Sequence, residues 1–315
     1  MKFITTFLVI VLVLSLGFGL IIKNLMLPVS DQSQTVNVLI TKGSSVSQIA
    51  NVLYKNKLIK NATLFKFMVQ ITNSQNKIQA GEFELSPNLS LIQILERLKK
   101  GPSEFWVTIP EGLRREEIAL KFKNALSKDD VFLNEFLSLT DGKEGYLFPD
   151  TYLFSKNVSA SQIISKMTST FDKKIDSITR EQVIVASLLE RETFSDEEKP
   201  FVAGIIYKRL ENDWPLQIDA TLQYAKDSKN CKQIATCDYW QPIFIQDKEI
   251  NSAYNTYKNL GLPPSAISSP GLSSLTASIS PEKSDYWYYI HDNSGKIHFA
   301  KTLEEHNLNI SKYLR

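Results

Sequence analysis

The sequence opens with an apolar run that limits where the rest of the chain can fold. No charged residue stands between Phe3 and Ile22, and Lys2 and Lys23 flank the run. About 20 such residues are enough for a helix to cross a bilayer. The run is long for the apolar region of a cleaved signal peptide, and no clear small-x-small cleavage site follows it, so the pattern favours an uncleaved anchor over a signal peptide. The short basic N-terminus then stays in the cytoplasm, and the chain after residue 27 lies outside it.

Periodicity divides the remaining chain into a linker and two folded parts. Residues 28–35 form a polar connector, and residues 36–104 alternate strand patterns with short amphipathic helices in a small module. Residues 105–315 carry longer helical patterns and a predicted hairpin around Asn293-Ser294-Gly295. Thr302 with Glu305 has the form of a capping box, which predicts a final helix. We therefore predict an α+β fold, with an N-terminal transmembrane helix over residues 1–27, a small α/β module and a mixed α+β domain.

Composition and missing motifs exclude several function classes. Lys and Arg number 36 and Asp and Glu number 34, and this near balance gives no support for a nucleic-acid partner, which needs a basic patch. The sequence lacks the phosphate loop Gly-x-x-x-x-Gly-Lys-Ser/Thr, the nucleophile elbow Gly-x-Ser-x-Gly and the zinc motif His-Glu-x-x-His. The three histidines, His291, His298 and His306, all lie in the last segment, so we predict that they form no metal site.

The two cysteines, Cys231 and Cys237, lie close together in a polar stretch. In an exported domain they could close a small loop as a disulfide. The alternative is a pair of free thiols in a surface loop.

Residues 179–193 carry the strongest catalytic candidate. Thr179 followed by Gln182 has the form of a capping box, which predicts that a helix begins there. At helical spacing, Glu190 then shares a face with one apolar and two small side chains. These are Val183, Ala186 and Ser187. A carboxyl on a mostly apolar face is harder to ionise, and a general acid at neutral pH has to keep its proton.

The alternative for Glu190 is an ordinary glutamate at a helix end, solvated or paired with Arg191 or Arg180. Glu192 fits that description better, because it points well away from the face of Val183. The sequence therefore favours Glu190 over Glu192 as the acid.

Two further stretches carry polar or aromatic groups of interest. Residues 216–222 alternate apolar and polar like a half-buried strand, which would place Gln217, Asp219 and Thr221 on one face. Residues 144–154 are dense in aromatics around a central proline. These rings either stack on sugar faces in a groove or pack in a core around a rigid turn.

Six short motifs resemble, in their order along the chain, the endolytic murein transglycosylases of the MltG (YceG-like) family. They are Glu-Gly-Tyr-Leu-Phe-Pro-Asp-Thr-Tyr (144–152), Ala-Ser-Leu-Leu-Glu-Arg-Glu-Thr (186–193), Leu-Gln-Ile-Asp-Ala-Thr (216–221), Tyr-Asn-Thr-Tyr (254–257), Gly-Leu-Pro-Pro (261–264) and Glu-His-Asn (305–307). Each motif alone is weak, but together they are specific and spread over most of the chain after the anchor.

The resemblance implies a single-pass inner-membrane protein with a LysM-like module at 36–104 and a YceG-like catalytic domain at 105–315, both outside the cytoplasm. It implies cleavage of the bond between MurNAc and GlcNAc within nascent peptidoglycan strands, which leaves a 1,6-anhydro-MurNAc end and terminates glycan elongation. The implied partners are the glycan strands, the membrane and peptidoglycan synthases, and no cofactor is required.

The resemblance also assigns roles to single residues. The family's catalytic glutamate falls on Glu190, which would protonate the leaving oxygen and then take the proton of the sugar's own 6-hydroxyl. Six residues match motif positions that would line the substrate groove: Gln217, Asp219, Thr221, Asn255, Thr256 and Tyr257.

Two other functions stay open on the sequence. A non-catalytic cell-wall binding or scaffolding protein would hold glycan on the module at 36–104 and use Glu190 structurally. An exported glycoside hydrolase would need a second carboxylate, for which Asp219 and Glu192 are the candidates.

Overall fold

The computed structural model describes residues 2–31, 33–102, 104–231 and 233–314, with side chains from Leu14 onward. Its helices are α1 (Lys2–Met26), α2 (Val46–Lys55), α3 (Ala62–Ile71), α4 (Leu91–Lys100), α5 (Arg115–Ala125), α6 (Asp130–Leu139), α7 (Ala160–Lys174), α8 (Arg180–Glu192), α9 (Lys199–Glu211), α10 (Asp219–Asn230), α11 (Leu272–Ile279) and α12 (Leu303–Tyr313). Its strands are β1 (Val36–Ile40), β2 (Gly81–Leu85), β3 (Glu104–Thr108), β4 (Thr151–Ser155), β5 (Tyr288–His291) and β6 (Ile297–Ala300). The strands form one sheet of order β1-β2-β3-β4 and one hairpin, β5-β6. This mixture of helices and small sheets confirms the α+β class.

The N-terminal helix α1 covers the predicted anchor. Among the described residues, no helix is both long enough and apolar enough to cross a membrane. Residues 3–13 of the predicted anchor lie outside the side chains that the structure describes.

The first compact unit comprises the chain up to Trp106 together with Leu153–Lys156. In it β1 runs antiparallel to β2, with Val36 opposite Leu85. Helices α2 and α3 lie between these strands in sequence, and they share one core with α4. Buried side chains of that core include Val38, Ile49, Leu53, Phe65, Phe83 and Leu98.

The second compact unit comprises Val107–Tyr152 and the chain from Asn157 onward, and it is organised around α8. Residues 183–189 of this helix are all buried, and the helix packs against α9, α10 and α11. Ser187 ties it to the chain before α11, because its hydroxyl accepts a hydrogen bond from the Ile267 N–H at 3.1 Å and donates one to the Ile184 carbonyl at 2.7 Å. Burial becomes partial at Glu190, where the last turn leaves the core.

Several sequence predictions for this unit are confirmed. Thr179 caps α8 through a capping box with Gln182. Thr302 caps α12 by accepting a hydrogen bond from the Glu305 N–H at 3.2 Å. The predicted hairpin forms, with His291 opposite Ile297.

The predicted strand over residues 216–222 is wrong. Gln217 adopts a φ of +52°, which interrupts an extended backbone. Helix α10 then begins at Asp219, where an acidic residue in the first turn complements the helix dipole. Gln217, Asp219 and Thr221 therefore do not share a strand face.

Two alternatives that the sequence left open are resolved. In the aromatic segment, Phe148 and Tyr152 are buried, and the Tyr152 hydroxyl donates to the Phe148 carbonyl at 2.7 Å, so these rings pack in a core. Cys231 and Cys237 are joined as a disulfide, with their Cα atoms 5.4 Å apart.

Replacing the cap of α8 should destabilise the fold without touching any cavity. We expect Thr179→Ala to lower the free energy of unfolding by about 1 kcal/mol, because the Gln182 N–H loses its acceptor. Thr179→Ser keeps a hydroxyl in place and should cost much less. Urea unfolding of both variants measures this, and equal losses would show that the side-chain cap contributes nothing.

Candidate active site

Two glutamates occupy the last turn of α8, and they face different cavities. Residues two apart on a helix are separated by about 200°, so Glu190 and Glu192 project to nearly opposite sides. Glu190 lines a cavity of about 780 Å³, and Glu192 lines one of about 460 Å³. The two cavities share no lining residue within the described part of the chain.

The Glu190 carboxyl is held at the N-terminus of α11. Its Oε2 accepts hydrogen bonds from the Gly271 N–H at 2.9 Å and the Ser274 hydroxyl at 2.7 Å. The Lys199 ammonium lies 3.9 Å from the same oxygen. These two hydrogen bonds join the end of α8 to the first turn of α11.

The cavity beside Glu190 contains further charges. Glu111, Asp196 and Lys199 line it together with small residues of α11. Lys199 donates to Asp196 at 2.9 Å, and this hydrogen bond is the main cause that lowers the pKa of Asp196. A Cβ at position 271 would stand 2.7 Å from the Glu111 Cγ, so a larger residue there would require the Glu111 side chain to shift.

The Glu192 carboxyl has surroundings that favour its protonated form. Burial, with a smaller contribution from the nearby Asp219 carboxylate, raises its pKa to about 7. Three groups oppose the shift: the Tyr289 hydroxyl, which donates to Oε2 at 2.9 Å, the backbone N–H of Ala220, and the Arg209 guanidinium. A carboxyl poised near neutral pH is what general acid catalysis requires.

The cavity beside Glu192 collects three of the residues predicted to line the groove. Gln217 and Asp219 are exposed and Tyr257 is half-buried, and all three line it. The Tyr257 hydroxyl donates to the Asp219 carboxylate, and burial together with this bond raises the Tyr257 pKa. The rest of the lining includes Arg209, Lys248, Tyr288, Tyr289 and His306.

The other three predicted groove residues are buried and do not line the cavity. Thr256 accepts a hydrogen bond from the Ile218 N–H at 3.0 Å, and its hydroxyl lies 2.9 Å from that of Thr221. The Asn255 amide donates to two backbone carbonyls, those of Lys248 and Ile250. These side chains fix the backbone on which Gln217, Asp219 and Tyr257 stand.

Arg209 supports the same cavity from α9. It is almost fully buried, and it donates to the Leu216 carbonyl at 2.6 Å and the Trp287 carbonyl at 2.6 Å. It thereby joins the segment before α10 to the segment before β5. Its positive charge stays close to Glu192 and to the Tyr289 hydroxyl.

Sequence reasoning missed Arg209 and Tyr289 and gave Glu192 only a minor role. Arg209 interrupts the apolar pattern of a core helix, and that interruption was the available signal. Tyr289 lies in the aromatic run before the hairpin turn. Among the described residues, no group of three or more His, Cys, Asp and Glu is arranged to hold a metal ion.

Comparison with known proteins gives consistent matches. Residues 38–312 match the model of the YceG-like family. An endolytic murein transglycosylase of Bacillus subtilis is 32% identical over 93% of this chain and 89% of its own length. One of Streptococcus pneumoniae is 30% identical over 99% of this chain, which spans 65% of that longer relative. A crystal structure of a putative YceG-like protein from Listeria monocytogenes has a TM-score of 0.56 and 32% identity, and the match covers 88% of this chain and 99% of that one.

The raised pKa of Glu192 should appear in the pH dependence of stability. Between its ordinary value of 4.5 and about 7, the folded state keeps a proton that the unfolded state releases. The free energy of unfolding should therefore fall as pH rises through this window, and it should fall less steeply in Glu192→Gln. Urea unfolding at a series of pH values measures both slopes, and identical slopes would contradict the shift.

Proposed function

Because the chain belongs to the YceG-like family, we propose that it carries the activity of its named relatives and is an endolytic murein transglycosylase. Its substrate is then the peptidoglycan glycan strand, cut at internal bonds between MurNAc and GlcNAc. The observation that carries this proposal is the position of the Glu192 carboxyl at the end of the central helix, in a cavity lined by polar and aromatic side chains, where burial raises its pKa to about 7. Cleavage within growing strands would terminate their elongation.

The general acid in this proposal is Glu192. Protonated Glu192 donates its proton to the glycosidic oxygen as the bond from that oxygen to C1 of MurNAc breaks, and positive charge develops on the sugar ring. The 6-hydroxyl of the same MurNAc then attacks C1, and the Glu192 carboxylate takes the hydroxyl proton. The product ends in 1,6-anhydro-MurNAc, the acid is restored, and neither water nor a cofactor is consumed.

Neighbouring residues support each stage of this proton transfer. Burial and the Asp219 carboxylate favour the neutral acid before the bond breaks. Tyr289 and Arg209 favour the carboxylate that forms afterwards, through a hydrogen bond and through charge. Gln217 and Tyr257 offer an amide and a hydroxyl to the substrate's polar groups.

Glu190 is the acid that the sequence predicts, and it stays the alternative. Both hydrogen bonds that its carboxyl accepts within the described residues fall on Oε2, which leaves Oε1 as the oxygen that could carry a proton. Its cavity holds none of the predicted groove residues. Because three of the predicted groove residues line the Glu192 cavity instead, we prefer Glu192 as the acid.

A hydrolase is the second candidate, since Asp219 lines the same cavity as Glu192. Two carboxyls at a suitable separation could activate water instead of the 6-hydroxyl, and the product would then have a reducing end.

The proposal includes the predicted placement of the chain. Helix α1 anchors the protein in the cell membrane in a single pass, and the catalytic domain at 105–315 lies on the outer side, where peptidoglycan synthases are candidate partners. The uncharged run from Phe3 to Ile22 supports the anchor. The β-α-α-β order of residues 36–85 supports a LysM-like, glycan-binding module at 36–104.

Paired substitutions identify the acid. We expect Glu192→Gln to lower kcat about 100- to 10,000-fold, because the amide cannot donate the proton, and Glu190→Gln to stay within about tenfold of the unaltered protein. The assay is digestion of purified glycan strands followed by mass spectrometry of the ends.

Each other outcome of that assay would support a different catalytic residue or a different function. A large loss of kcat in Glu190→Gln with little loss in Glu192→Gln would identify Glu190 as the acid. Reducing ends in place of anhydro ends would favour the hydrolase, and no cleavage by the unaltered protein would favour the scaffold.

The pH profile gives an independent test of the same assignment. Because the acid must be protonated, kcat/KM should fall as pH rises above about 7. Asp219→Asn removes a charge that raises the Glu192 pKa, so the falling limb should move to lower pH. Tyr289→Phe removes a hydrogen bond that lowers this pKa, so the limb should move to higher pH. Shifts in the same direction would contradict these roles.

A further inference from the structure

Phe194 is an exposed ring two residues beyond Glu192 in the chain. It follows the end of α8 by two residues, and 75% of its surface is exposed to solvent. Single exposed apolar side chains are common on proteins and need no special explanation. What distinguishes Phe194 is that a buried carboxyl holds its backbone and that the His291 ring packs against its ring.

The clamp on Phe194 is the buried carboxyl of Glu198. Its Oε1 accepts hydrogen bonds from the backbone N–H groups of Phe194 and Ser195, the latter at 2.8 Å. Its Oε2 lies 3.1 Å from the His291 Nε2. Glu198 is only 5% exposed, so one desolvated carboxyl ties the loop after α8 to strand β5.

The Phe194 ring continues a row of rings that starts at Glu192. Tyr289, which donates to the Glu192 carboxyl, has its ring centroid 6.3 Å from that of His291. The His291 ring in turn meets the Phe194 ring edge-on, with centroids 4.8 Å apart. The row therefore leads from the reacting carboxyl along β5 to an exposed aromatic face.

We propose that Phe194 is a binding platform for a sugar unit of the glycan strand beyond the scissile bond. The C–H face of a sugar ring can pack on an aromatic face, whose negative charge attracts the positively polarised hydrogens. Because Glu198 already fixes the backbone of this loop, binding does not have to order the loop first. This inference rests on the proposed function, since it takes the glycan strand as the ligand of the Glu192 cavity.

The platform can be tested by binding, independently of cleavage. The full-length protein in detergent, carrying both Glu190→Gln and Glu192→Gln, is titrated calorimetrically with purified MurNAc-GlcNAc oligomers of increasing length. We expect Phe194→Ala to weaken binding of long oligomers about three- to tenfold and to leave the shortest oligomer unchanged. Phe194→Trp should restore the affinity, because it restores an aromatic face.

Phe244→Ala is the matched control, because Phe244 is 67% exposed in the same compact unit and lines neither cavity described above. It should bind all lengths as the parent does. Equal affinity of Phe194→Ala and its parent for long oligomers would overturn the proposal, as would equal weakening at every length or an absence of binding by the parent. Failure of Glu192 as the acid would appear only in the cleavage assay, so the two proposals can fail separately.

Discussion

The burial of α8 on all its sides is the constraint on which the second compact unit depends. A helix surrounded by α9, α10 and α11 has no solvated face along its middle, so its polar side chains are confined to its ends. The last turn therefore brings two carboxyls to the margin of the core at once. One of them, Glu190, is used to hold the N-terminus of α11, and the other, Glu192, faces the polar cavity.

Local chemistry in the sequence was sufficient to predict much of this fold. Side-chain caps such as Thr179 and Thr302 mark where helices begin, and Asn293-Ser294-Gly295 marks a hairpin turn, because these signals act within a few residues. The strand predicted for residues 216–222 was wrong because the interactions that set the backbone there come from distant parts of the chain. The positive φ of Gln217 is held by hydrogen bonds to Thr256, nearly forty positions away in the chain.

The choice between Glu190 and Glu192 shows the same limit at the site. Counting from Val183 and Ala186 identifies a buried face only if the helix has one buried and one solvated face. Because residues 183–189 are buried all round, every direction from α8 meets the interior, and periodicity cannot say which groups surround each carboxyl. Only the partners brought from α9, α10 and β5 distinguish them, and these depend on tertiary packing.

The backbone of Gln217 couples the stability of the fold to the lining of the Glu192 cavity. A side chain with a φ of +52° costs roughly 1 kcal/mol that a glycine would not incur. The same conformation directs an exposed amide to the Glu192 cavity. A glycine at this position would therefore relieve the strain but would remove the amide from the lining of the cavity. One residue thus sets both the local stability of the backbone and the polarity of the cavity wall.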